Sequence, residues 1–153
     1  MDERSAGEVA LIYVSVSTLK LPGEAGEVDA IVDWSLGRNR AQGVTGALVF
    51  TEKRFAQYLE GPAESVDALM DSIARDPRHR ELDVVFRRPL DQRRFPTWGL
   101  AYAGPSTFVS GHVLTLAETQ GEAARLKFAD RLIEMMQQFV QAQLAEQRRK
   151  QGG

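Results

Sequence analysis

Apolar and polar positions along this chain alternate between a short period and a long one. Val9-Ala10-Leu11-Ile12-Tyr13-Val14-Ser15-Val16 is apolar and rich in β-branched residues, which predicts a first strand with Leu11, Tyr13 and Ser15 on one face. Lys20-Leu21-Pro22-Gly23 reads as a loop. From about Glu24 the period lengthens, and Val28, Ile31, Val32 and Ser35 recur at helical spacing until Gly43 supplies a stop. Val44–Phe50 predicts a second strand, joined through residues 51–54 to a third over Arg54–Gly61 as a hairpin. Gly61-Pro62 opens a second helix with proline in its first turn, Val66, Leu69, Met70 and Ile73 as its stripe, and Pro77 as its end. Leu82–Phe86 and Trp98–Tyr102 predict a fourth and a fifth strand. The order βαββαββ is a ferredoxin-like α+β pattern with one extra strand.

The first, second and fourth strands are apolar on both faces, so both faces of the sheet are expected to be covered. Two helices account for one face. The other is assigned to a C-terminal helical segment striped by Leu126, Ala129, Leu132, Ile133, Met136, Phe139, Val140 and Leu144, unless that stripe joins a partner chain. Expected boundaries are a flexible N-terminus over 1–8, a core domain over 9–104, a helical extension over 105–148 and a tail over 149–153. The 153 residues suffice for one domain with a sizeable core. No apolar run approaches the roughly 18 residues that cross a membrane. The chain has no cysteine, which excludes disulfides and thiolate chemistry and accords with a cytoplasmic protein. A net charge of −2 gives no nucleic-acid footprint.

Catalytic constellations are sparse. His79 and His112 lie far apart, outside metal-ligand spacing, and read as surface or loop histidines. Arg75-Asp76-Pro77-Arg78-His79 is a polar cluster at a helix end, either a solvated cap or a holder of a ribityl or phosphate group. Gln57 is more telling, because alternation places it between Phe55 and Leu59 on a core face. A buried primary amide must be satisfied, and unpaired it costs on the order of 1–3 kcal/mol. Its partner is either a nearby backbone group or a ligand. Tyr13 and Trp98 share the sheet with it, and Asn39 ends the first helix, where a capping role is the simpler reading.

Taken together, Leu11–Ser15, Arg38-Asn39, Gly43–Leu48, Phe55–Gly61, Asp76–His79 and Arg93-Arg94-Phe95 with Trp98 resemble the BLUF family of flavin-based blue-light sensors, from about Val9 to Tyr102. The resemblance implies a non-covalent flavin (FAD, or else FMN or riboflavin) between the two helices. It implies Ile31 and Ile73 against the ring, Asn39 on its pyrimidine edge, and Gln57 between Tyr13 and the ring's N5/O4 edge. Asp76, Arg78 and His79 fall where the family's ring-edge and ribityl contacts cluster. The implied activity is photochemical switching without turnover. Tyr13 gives an electron and a proton by way of Gln57, whose amide rearranges by rotation or tautomerisation, bonds O4 and shifts absorption to the red. Output is implied through the fifth strand, around Trp98 and Leu100, to the C-terminal helices. From there it reaches a homo-oligomer or an unidentified signalling protein.

Two positions depart from the family pattern. Leu100 stands where methionine is common and lacks a thioether acceptor. Trp34 is large for the flavin-side helix and is expected in the core, with a side route for electron donation as the other reading. Competing readings are a flavin-free interaction module on the same scaffold and a small acyl-phosphate hydrolase. The hydrolase would need Arg38 and Asn39 to converge on a phosphate.

Overall fold

The computed structural model describes residues 7–152. Nine elements follow in order: β1 (Glu8–Ser17), α1 (Gly26–Ala41), β2 (Thr45–Phe50), β3 (Arg54–Pro62), α2 (Ala63–Ala74), β4 (His79–Pro89), β5 (Trp98–Ala103), α3 (Thr107–Glu118) and α4 (Glu122–Gly152). The sheet order is β4-β1-β3-β2-β5. Each neighbouring pair is antiparallel except β2 and β5, which run parallel, so the ferredoxin-like sheet is mixed.

Side-chain alternation sorts the central strands into two cores. Leu11 and Tyr13 of β1, Leu48 of β2, and Phe55 and Leu59 of β3 pack with Val28 of α1 and Val66 and Leu69 of α2. Ile12, Val49, Ala56 and Tyr58 face the other way, against Val113 and Leu116 of α3 and Leu132, Ile133 and Met136 of α4. The sheet is therefore covered on both faces. The fourth strand was expected to be buried twice over, but β4 lies at the sheet edge, and Val84 is exposed there.

Element ends differ from expectation for local reasons. Pro62 has extended backbone, closes β3 and caps α2 from outside, and α2 stops at Ala74 with Arg75 as its C-cap, before Pro77. β4 reaches from His79 to Pro89, beyond the apolar run of Leu82–Phe86, because pairing with β1 holds its polar ends. The C-terminal extension is two helices, separated where Gly121 takes a positive φ of 94°. Residues 149–152, expected as a tail, continue α4 as exposed helix. The expected frayed N-terminus falls largely on residues 1–6, outside the described residues, while Glu8 opens β1.

Candidate functional site

Pairing between β1 and β3 sets Tyr13 opposite Gln57. On the α1/α2 face the Gln57 Nε2 donates to Tyr13 Oη at 2.6 Å, and Trp98 Nε1 donates to Gln57 Oε1 at 2.9 Å. Trp98 reaches Gln57 from β5 across β2. The β2 residue registered with it is Gly46, so no side chain stands between the indole and β3. Glycine is also required there by the backbone: φ is +147°, and a Cβ would lie 1.9 Å from the Tyr58 carbonyl oxygen. All three polar side chains are buried.

The orientation of the amide follows from its partners. An indole N–H can only donate, so the atom facing it must be the amide oxygen, which leaves Nε2 for Tyr13. Burial pushes the Tyr13 phenol well above its ordinary value, the Gln57 hydrogen bond opposes that, and the charge of Asp76 adds to it. Tyr13 is thus a neutral phenol at any physiological pH.

Tyr13 and Gln57 line a cavity of about 40 Å³ together with Ile31, Ile73, Asp76, Arg78 and His79. It adjoins an outer cleft of about 540 Å³ between α1 and α2, and Ile31, Ile73, Asp76 and Arg78 line both. Leu100 and Asn39 are not among the lining residues of the inner cavity. Leu100 is half-buried opposite Leu48, which does line it.

Asn39 is 1% exposed, and neither its Nδ2 nor its Oδ1 has a hydrogen-bond partner. Its side chain therefore caps nothing, although its backbone carbonyl accepts from Val44 N at 2.9 Å. Adjacent Arg38 turns away and donates to Ser72 Oγ at 2.8 Å, so the two do not converge on one point. An orphaned amide inside the protein presents a donor beside an acceptor, which complements the N–H and C=O of an imide edge such as a flavin's. The donor set fits the ring, whereas the inner cavity is far below the roughly 300 Å³ of a small-ligand site. Seating a three-ring group requires α1 and α2 to part. Each helix buries two residues, Val28 and Asn39 in α1 and Val66 and Leu69 in α2.

The polar end of the cavity is internally paired. Arg78 grips Asp76 through Nε at 3.0 Å and Nη2 at 2.7 Å, and its backbone N–H adds a third bond at 2.9 Å. Burial raises the Asp76 carboxyl, but the Arg78 hydrogen bonds and charge outweigh it, and its pKa lies below the ordinary value. His79 is no loop histidine: it opens β4, half-buried, with Nε2 2.7 Å from the Ile73 carbonyl and Nδ1 2.7 Å from Ser15 Oγ. A carbonyl only accepts, so Nε2 carries the proton. Trp34, expected in the core, is 65% exposed and lines the outer cleft.

Glu60 had no role in the sequence reading. It is fully buried on the α3/α4 face, where its carboxylate accepts from Tyr58 Oη, Thr45 Oγ1, Arg94 N and Phe95 N at 2.7–3.1 Å. An acidic residue alternating with Ala56 and Tyr58 on a doubly buried strand was the available signal. Glu60 pins the segment before β5 to β3, three residues along from Gln57 and on the opposite face.

A family model described as sensors of blue-light using FAD matches residues 9–101. The chain belongs to the BLUF family. FAD is the family's cofactor, and flavin binding comes with membership. The β subunit of a photoactivated adenylate cyclase from Euglena gracilis is 36% identical over 94 residues, which is 61% of this chain and 11% of that protein. The blue light- and temperature-regulated antirepressor BluF of Escherichia coli K12 is 29% identical over 117 residues, 76% of this chain and 29% of BluF. The dark-state structure of the BLUF protein BlrB superposes with a TM-score of 0.65 at 29% identity, covering 80% of this chain and 93% of that one. The chain thus spans only a small part of these two curated relatives, and the BLUF match runs from β1 into β5. Among the described residues no helix is long and apolar enough to cross a membrane.

Proposed function

We propose that this BLUF domain is a light-driven hydrogen-bond switch centred on Gln57, with α4 as its output. The observation that carries the reading is the buried chain Trp98 Nε1–H to Gln57 Oε1 and Gln57 Nε2–H to Tyr13 Oη. Bound flavin supplies the blue-light chromophore and a one-electron oxidant. Tyr13 is the residue that would lose and regain an electron and its hydroxyl proton; Gln57, whose Nε2 donates to Tyr13 Oη, could take up that proton on Oε1 once its amide has turned. Asn39 holds the pyrimidine edge, with Ile31 and Ile73 flanking the ring and Asp76, Arg78 and His79 at the ribityl side.

Half a turn of the Gln57 amide would bring Nε2 to the indole N–H, setting two donors face to face. Rotation is therefore coupled to displacement of Trp98, and it offers an amide N–H to the flavin carbonyl. Displacement of Trp98 would strain β5 and the segment before it. Both are tied to α4: Gln143 Nε2 donates to the carbonyls of Leu100 and Ala101 at 3.1 Å, and Arg94 Nη2 donates to Gln137 Oε1 at 2.8 Å. From α4 the signal passes to a second copy or to a separate signalling protein.

Absorbance of the purified protein before and after blue light tests the reading. A flavin band with a reversible red shift is expected. Tyr13→Phe and Gln57→Leu should each abolish the shift while retaining the flavin. A colourless protein that reconstitutes no flavin would return the chain to an interaction module on a BLUF scaffold.

A further inference from the structure

The outer cleft has chemistry that the ring-binding residues leave unused. Trp34 lies one turn beyond Ile31 on α1, so the two side chains are neighbours on the helix surface. An indole 65% exposed is unexplained by packing, and it lines a cleft of about 540 Å³, a volume suited to a small ligand. The four residues shared with the inner cavity make that cleft the direct continuation of the ring slot. Its carboxylates are answered within the cleft. Arg78 holds Asp76 and lies 3.7 Å from Glu27, while Arg75 has no carboxylate partner among the described residues.

We propose that the outer cleft is a subsite for the adenosine monophosphate half of a flavin dinucleotide, with Trp34 as the platform on which adenine stacks and Arg75 as the cation beside the phosphates. The inference rests on the flavin reading above and deepens it: Trp34 makes this chain discriminate FAD from shorter flavins. Purine on indole is a sequence-tolerant aromatic stack whose removal costs roughly fivefold or more in affinity. Arg75 is exposed, and a cation in water contributes much less, so the stack carries the selectivity.

Equilibrium titration of the refolded apoprotein with FAD, FMN and riboflavin tests this. The unaltered chain should bind FAD roughly fivefold or more tightly than riboflavin, with FMN close to riboflavin. Trp34→Ala should bring FAD down to the riboflavin value without changing riboflavin itself, and Trp34→Phe should keep most of the preference. Because Trp34 is exposed, neither variant threatens the fold. Equal affinities for all three flavins in the unaltered chain would overturn the subsite. So would an equal loss for FAD and riboflavin in Trp34→Ala, which would place Trp34 at the ring. Failure to bind any flavin would instead sink the photoreceptor reading, and this inference with it.

Discussion

In the proposed switch, Gln57 stands between neighbours that differ in what they can exchange. The indole of Trp98 only donates, the phenol of Tyr13 both donates and accepts, and the amide between them has one face of each kind. The Tyr13 phenol is protected by burial, and so is that of Tyr58, where burial acts first and the Glu60 charge second. Folded protein keeps both protons at a pH where the unfolded chain releases them, near 10. Stability is then full below about pH 10 and falls as pH rises through the elevated folded values. Tyr13→Phe should flatten that alkaline decline in denaturant titrations, and an unchanged slope would show that Tyr13 is reached by water. Leu100 is half-buried on the same face as Trp98. Leu100→Met adds an acceptor for a displaced amide N–H and should slow dark recovery. An unaltered recovery rate together with an unaltered β5 would remove that role.

Among the elements, β3 and β5 do the most with the fewest residues. β3 carries Gln57 toward α1 and α2 and Glu60 toward α3 and α4, and the alternation of a doubly buried strand puts them on opposite faces. Glu60 satisfies four donors, of which Tyr58 Oη and Phe95 N are buried. Replacing it with leucine orphans the Arg94 and Phe95 N–H groups and should lower stability by about 1–3 kcal/mol for each donor left buried and unpaired. A chemical denaturation midpoint close to that of the unaltered chain would mean that the segment before β5 finds other partners. β5 has a register shift against β2 between Leu48 and Val49, and the carbonyls of Leu100 and Ala101 are taken up by Gln143 instead. Substituting Gln143 with leucine should leave the red shift intact while reducing light-dependent hydrogen exchange in α4. Equal exchange in both proteins would assign the output to another contact.

At the scale of the molecule, the sheet separates the α1/α2 face from the α3/α4 face. α1 and α2 frame the inner cavity and the outer cleft on one face, and α3 and α4 cover the other. Arg94 and Gln143 tie β5 and the segment before it to α4, which lies beyond the residues matched by the family model. The relatives named for cyclase activity carry it in proteins that this chain spans only in small part.

The order of elements along the chain, the hairpin, the two-faced core and the facing of Gln57 were legible in the sequence, because period-two and helical alternation report directly on burial. Tyr13, Gln57, Asn39 and Trp98 were singled out together through the family resemblance, and the structure joins Tyr13, Gln57 and Trp98 by hydrogen bonds while Asn39 stands apart from them. The role of Glu60, the partnering of His79 by Ser15 and Ile73, and the division of the C-terminal segment were not, since each depends on groups distant in sequence. Trp34 misled for the same reason: a helix position reads as buried or exposed only once its neighbour is placed, and α2 leaves it beside an open cleft. Local alternation determines which way a side chain points. Only the assembled sheet and helices decide what it meets there.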